Sequence, residues 1–179
     1  MNAMSENWVL HIVRSHTQTR NDRTRTIGTY EVLHDGMATT LAGTSVETKG
    51  PGDNDVRGNG RCVEARRYPL ATQDGDHYKT INYLVSDDSD RTPKPGIELL
   101  DTGARSEILI HPGHGFLSSI GCINLTSGLA SGDSDISFAN SRDRVIAVIT
   151  DLQTYLGNEF PRYNGRLIPR ASIVIEDQV

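Results

Sequence analysis

The chain has 179 residues, enough to bury a core, and residues 1–179 read as a single domain. Apolar residues make up 36% and glycines number 17, a balance that favours a β-rich fold with many turns over a helix bundle. The net charge of −5 gives no global attraction to nucleic acid or an anionic membrane, and no apolar run is long enough to span a bilayer, so neither nucleic-acid binding nor membrane insertion is expected.

The N-terminal stretch MNAMSENWVLHIVRSH lacks the basic region and long apolar run of a leader. The chain is therefore expected to be made in the cytoplasm without a signal peptide. Trp8 to Arg14 is a short apolar run rich in β-branched residues and reads as a strand. Thr26 to Leu33 alternates in part, and His34-Asp35-Gly36 supplies a turn after it. Leu41 to Thr48 is a further strand, ended by the loop Gly50-Pro51-Gly52-Asp53-Asn54.

Arg61 to Leu70 and Tyr78 to Val85 read as strands around a turn at Asp74-Gly75-Asp76-His77. SDDSDRTPKPG (86–96) is polar, broken by proline and expected as a surface loop. Ile97 to Leu100 and Ile108 to His111 are short buried strands, and Ser172 to Glu176 is a last one. Only one segment has helical spacing. Ile146, Ile149, Leu152 and Leu156, widened by Val145 and Val148, predict an amphipathic helix from about Ser141 to Leu156. Asn140 or Ser141 can cap it, Asp143 complements its positive end, and Gly157 stops it. The fold class is mainly β with one amphipathic helix (α+β), its sheet curved or paired into a sandwich.

The chemistry concentrates in HPGHGFLSSIGCINL (111–125). His111 ends an apolar strand that Pro112 and Gly113 stop, and Cys122 follows Gly121 eleven residues later. Such a cysteine is a nucleophile if a histidine takes its proton or holds it as a thiolate–imidazolium pair. Gly121 permits close approach of a substrate carbonyl and backbone angles that other residues avoid. The amides around Gly121 and Cys122 are candidate oxyanion donors. The plainer alternative is a small buried core cysteine beside a histidine that merely edges a strand. Of the two histidines, His111 is the expected base, because strand packing fixes its ring. His114, between Gly113 and Gly115, suits contact with substrate.

SIGCIN (119–124) resembles the Ser/Thr-His-Gly-Cys-hydrophobic-Asn motif of L,D-transpeptidase (YkuD-like) catalytic domains, and ILIHPG (108–113) resembles the strand bearing their upstream histidine. The match is closest to short-spaced relatives from phage and secreted-effector proteins, some of unknown function. IELLDTGARSEILIH (97–111) and VEARRYPL (63–70) extend it. Those enzymes are β-rich cysteine acyltransferases of bacterial peptidoglycan. The resemblance therefore implies Cys122 as nucleophile, His111 as base, backbone donors at Gly121 and Cys122, and Ser119 and Asn124 as braces of the loop. It implies no metal or organic cofactor. The expected substrate is the peptidoglycan stem peptide, reached in the periplasm or a target cell wall after non-classical delivery, with an immunity protein as the partner of an effector. Two departures stand out: Ile120 replaces the motif histidine, and the spacing from His111 to Cys122 is short.

Stem peptides bear carboxylates, which makes Arg142 and Arg144 at the helix start candidate substrate contacts. His114, Ser118, Ser119 and Asn124 join them, with Tyr68 and Tyr78 as candidates to line a groove. A non-catalytic peptidoglycan-binding or structural module with the same fold is the alternative function. A zinc-dependent peptidase using His111, His114 and Cys122 is a lesser one, since Pro112 and Gly113 rule out a shared helical face and no fourth ligand is evident.

Overall fold

A computed structural model describes residues 7–178. Residues 1–6, part of the stretch read for a leader, and residue 179 lie outside the described residues. β1 (Trp8–Arg20), β2 (Arg23–His34) and β3 (Met37–Thr48) form an antiparallel meander. Two-residue turns close both hairpins with positive φ, at Asn21 (49°) and Asp22 (62°) and at Asp35 (53°) and Gly36 (81°). Asn, Asp and Gly tolerate that backbone, and its twist matches the strands it joins. β1 runs on to Arg20, past the expected end at Arg14. The extension SHTQTR pairs with β2 through its backbone and is largely solvated, so no apolar alternation marks it.

The remaining elements are β4 (Arg67–Thr72), β5 (Tyr78–Lys79), β6 (Lys94–Pro95), β7 (Ile97–Leu99), β8 (Leu109–Ile110), β9 (Asn124–Thr126), α1 (Phe138–Leu156) and β10 (Leu167–Asp177). One sheet takes the order β8-β7-β4-β10-β1-β2-β3-β9, antiparallel throughout except where β1 runs parallel to β10. Just before β9, Ile123 bridges Ile110 at the end of β8. The sheet thus curves until its two edges nearly meet. The fold is mainly β with one helix.

Four expected strands are shorter than their sequences suggest: β7 stops at Leu99, β8 spans only Leu109–Ile110, and two others change more. β4 starts at Arg67 instead of Arg61, because the chain before it belongs to a loop fastened by Cys62 N–H to Lys49 O (3.0 Å) and Asp53 N–H to Cys62 O (3.0 Å). Only Tyr78–Lys79 of the stretch to Val85 pairs as a strand, and it pairs with β6 in a separate small sheet. The Asn164 side chain takes both Ile81 backbone groups, each at 2.9 Å, in place of a neighbouring strand.

α1 starts three residues before the expected Ser141, capped by Ser137, whose side chain accepts from Asn140 N–H. The two residues expected as caps work sideways instead. Asn140 Oδ1 accepts from Thr126 Oγ1 and Ser127 N (both 2.8 Å), and Ser141 Oγ accepts from Gly113 N–H (3.0 Å). Gly157 ends the helix with φ 55°. Val145, Val148, Ile149, Leu152 and Leu156 enter one core with Trp8, Leu10, Ile12, Tyr30, Ile110, Ile123 and Leu125. Ile146 lies beside that stripe, half-buried.

A polar tie crosses the sheet interior. Arg14 Nε and Nη2 donate to the two Glu47 carboxylate oxygens (2.8 and 2.7 Å), Nη2 also to Val63 O (2.8 Å), and both side chains are buried. Arg14 Nη1 also pairs with the half-exposed Asp177 (3.2 Å). Glu47→Ala removes the buried partner and leaves the cation to this solvated one, so the unfolding free energy should fall by about 3 kcal/mol. Urea denaturation of the two proteins measures it. An unchanged midpoint would mean that Asp177 alone compensates Arg14.

Candidate active site

β8 ends at the seam where the sheet edges meet. Strand alternation buries Ile110 in the core and places Leu109 and His111 on the other face. Two backbone bonds hold the seam: Ile123 N–H to Leu109 O (2.8 Å) and His111 N–H to Ile123 O (3.0 Å). The Asn124 side chain adds a third, donating Nδ2–H to His111 O (2.9 Å). Gly113 passes so close to Asn124 that a Cβ there would lie 2.7 Å from its Cγ. Only glycine fits. Its N–H is held by Ser141 from the first turn of α1.

The His111 ring is buried, with Nδ1 2.7 Å from Pro112 O. A carbonyl can only accept, so Nδ1 bears the proton and Nε2 presents a lone pair. The Asn124 Nδ2 at 3.4 Å from Nδ1 is then a contact between two donors. Among the described residues Nε2 has no hydrogen-bond partner. The Tyr78 ring packs against His111 with centroids 4.5 Å apart. Burial pushes the His111 pKa down to about 4, with Lys94 acting in the same direction and the Pro112 bond opposing it.

Cys122 is partly accessible and opens onto a recess of about 190 Å³ that Gln73, Asp76, His77, Tyr78, Glu107 and Leu109 also line. The turn expected at Asp74 to His77 is present, closed by Gly75 N–H to Tyr78 O (3.0 Å), and forms one wall. Cys122 Sγ accepts from Leu109 N–H (3.3 Å) and points its own hydrogen at Glu107 O (3.6 Å). Glu107 itself has a positive φ of 56°. Burial raises the thiol pKa, the Leu109 N–H and Arg105 lower it, and Glu107 raises it. With the thiol raised and the imidazole lowered, both groups are neutral in the resting fold; among the described residues no hydrogen bond joins them, and the Tyr78 ring packs on His111. Of the two protonation states open from the sequence, the field favours thiol and imidazole over thiolate and imidazolium.

The structure gathers His111, Gly121, Cys122, Ser119 and Asn124 on this seam. Ser119 Oγ donates to Cys122 O (2.7 Å) and lies 3.4 Å from Asn124 Oδ1, bracing the loop. The expected unusual backbone angle is not what Gly121 serves, since it lies outside the left-handed region; a Cβ on it would overlap Arg105 Nη2.

Other expected contacts lie elsewhere. Tyr68 is fully buried; its hydroxyl donates to Glu64 O (2.6 Å) and accepts from Asn54 Nδ2 (3.0 Å), fastening a loop. Arg142 is held by Asp87, Asp143 and the Ser86 carbonyl, and Arg144 by the Tyr30 hydroxyl and Ala42 carbonyl. Both fasten α1 to its neighbours. His114 is exposed, and its backbone is not loose, because Gly115 and Ile136 exchange two hydrogen bonds (3.2 and 2.8 Å). Ser118 is half-buried and does not line the recess. Among the described residues no three His, Cys, Asp or Glu side chains converge as a metal site requires, so His111, His114 and Cys122 are not brought together as ligands.

Sequence reasoning missed Arg105 and Glu107, which flank the thiol. Both sit inside DTGARSEILIH, but a buried arginine in a loop has no periodicity to give it away. No protein-family model, curated protein or solved structure matches the chain.

The buried imidazole makes stability depend on pH. Above the ordinary histidine value of 6.5 neither the folded nor the unfolded chain binds this proton. As the pH falls from 6.5 towards 4 the unfolded chain takes it first, so His111 costs the fold stability across that window. The full shift corresponds to about 3 kcal/mol. His111→Gln should therefore lose less stability than the native chain between pH 7 and 4, read by urea denaturation at each pH. Equal losses would mean that His111 charges freely in the fold.

Proposed function

We propose that the chain is a cysteine acyltransferase or peptidase of the L,D-transpeptidase type acting on peptidoglycan stem peptides. One observation supports it above the rest: a partly accessible thiol shares the sheet seam with a neutral imidazole whose Nδ1–H is fixed and whose Nε2 is unpartnered. The likeness of SIGCIN and ILIHPG to the transpeptidase motif supplies the substrate class.

In this reading His111 Nε2 takes the Cys122 proton as the sulfur attacks the amide carbonyl between the third and fourth stem residues. The Gly121 and Cys122 N–H groups receive the oxyanion. The C–N bond then breaks, the imidazolium returns its proton to the departing amine, and a thioester remains. An amine or water attacks that thioester, giving its proton to His111, and the sulfur leaves and is reprotonated. An amine yields cross-linking or exchange, and water yields carboxypeptidase activity. Such chemistry takes place where peptidoglycan lies, in the periplasm or a target cell wall.

A second reading, a non-catalytic peptidoglycan-binding module, draws on two observations. The thiol is raised, and Ile120, where the motif has histidine, is 75% exposed.

Turnover of stem peptides, followed by mass spectrometry, separates the two. Cys122→Ala should abolish it and His111→Ala should remove nearly as much, because nucleophile and base act as one unit. His114→Ala should leave a measurable remnant, and the acid limb of the rate should lie well below 6.5, near the lowered His111 value. Turnover that survives Cys122→Ala sinks the mechanism, and peptidoglycan binding without turnover selects the second reading.

A further inference from the structure

Arg105 lies in the β7–β8 connection and is only 7% exposed. Its turn is fixed by Arg105 N–H to Thr102 O (3.3 Å) and Thr102 Oγ1 to Arg105 O (2.6 Å). The guanidinium meets carbonyls: Nη1 donates to Asp53 O (3.1 Å) and Nη2 lies 3.5 Å from Ile120 O. Among the described residues it forms no ion pair. Its Nη2 abuts Gly121, where any side chain would displace it.

Burying a cation without a counter-ion is unfavourable, and an apolar side chain would serve packing better. The Cys122 sulfur, on the residue after Gly121, can become an anion, and Arg105 acts on it through space in favour of that form. We propose that Arg105 is the positioning residue of this site, seating the Ile120–Cys122 peptide and supplying the positive charge against which the Cys122 thiolate forms. The catalytic meaning of this role rests on the acyl-transfer reading; the relation between Arg105 and the sulfur does not. Gly121 then has a second duty, since its missing side chain leaves room for the guanidinium.

The titratable groups around Cys122 are Arg105 and Glu107 from the β7–β8 connection, Asp76, His77 and Tyr78 from the recess wall, and His111 beyond Tyr78. Arg105 and Glu107 act on the thiol in opposite senses, the first favouring the thiolate and the second opposing it.

Alkylation by iodoacetamide reads this directly, because the thiolate sulfur displaces iodide. Cys122 is followed by mass spectrometry of its own peptide, with Cys62 kept apart, on folded protein across a pH series. Arg105→Gln should raise the reaction midpoint by about one pH unit, slowing alkylation about tenfold below it. Arg105→Lys should restore most of the rate, and Glu107→Gln should shift the midpoint downwards. Gly121→Ala, which pushes the guanidinium off its seat without deleting it, should raise the midpoint and serves if Arg105→Gln does not fold. An unchanged midpoint in folded Arg105→Gln or Gly121→Ala overturns the proposal. So does a shift of Glu107→Gln in the same direction as Arg105→Gln, which would indicate general loosening. If the midpoints move as stated while Cys122→Ala leaves stem-peptide turnover intact, Arg105 keeps its role towards a reactive thiol and only the acyl-transfer reading falls.

Discussion

Two backbone hydrogen bonds, Ile123 N–H to Leu109 O and His111 N–H to Ile123 O, draw the two edges of the sheet together. The geometry of the candidate site follows from that seam. It places Cys122 one residue before the paired Ile123 and His111 one residue after the paired Ile110. It also turns the Leu109 N–H onto the Cys122 sulfur. An open sheet would leave these residues on opposite edges.

The seam is short, and side chains directed at the backbone reinforce it. Asn124 binds the His111 carbonyl, Ser119 the Cys122 carbonyl, and Ser141 the Gly113 N–H. Buried backbone groups need partners, and a turn pressed between a sheet edge and a helix cannot find them in water. Of the polar residues of HPGHGFLSSIGCINL, Ser119 and Asn124 thus build the loop, while His111 and Cys122 are the candidates for chemistry. Nothing in residue type alone distinguishes a serine that binds substrate from one that holds a carbonyl.

Legibility in the sequence followed how local each constraint was. The β-rich class, the helix stripe, the Asp35-Gly36 turn and the Asp74-to-His77 turn all rest on neighbours in the chain, and each is present. Where a distant residue decides, the sequence misleads. Ile81 looks like strand, yet Asn164, far along the chain, takes its backbone groups. Ser141 looks like a cap, yet Gly113 claims its oxygen. Tyr68 has the size of a groove residue but lies in the core, whereas Tyr78, of the same type, lines the recess. In the site itself the spacing of His111, Gly121 and Cys122 could be read because one local loop holds all three. Arg105 comes from a different connection and could not.

Buried arginines offer a comparison within the same molecule. Arg14 sits against both oxygens of Glu47, and Arg142 against Asp87 and Asp143. Arg25 lies over the Phe116 ring, 4.1 Å from its centroid, with Asp133 and Asp135 within electrostatic reach. In each of these the field of the cation is spent on groups that are already charged or polarised in the resting fold. Arg25 also donates to carbonyls, those of Phe116 and Gly132, as Arg105 does to its own; Arg105 differs in that its guanidinium lies against a glycine next to a neutral thiol. An uncompensated charge of this kind lowers the energy of whatever negative charge arises next to it, and does so most where water is excluded. A neutral resting thiol is then compatible with a reactive sulfur: in the proposed acyl transfer the thiol would keep its proton until His111 took it, and the charge that appeared would find a cation already in place.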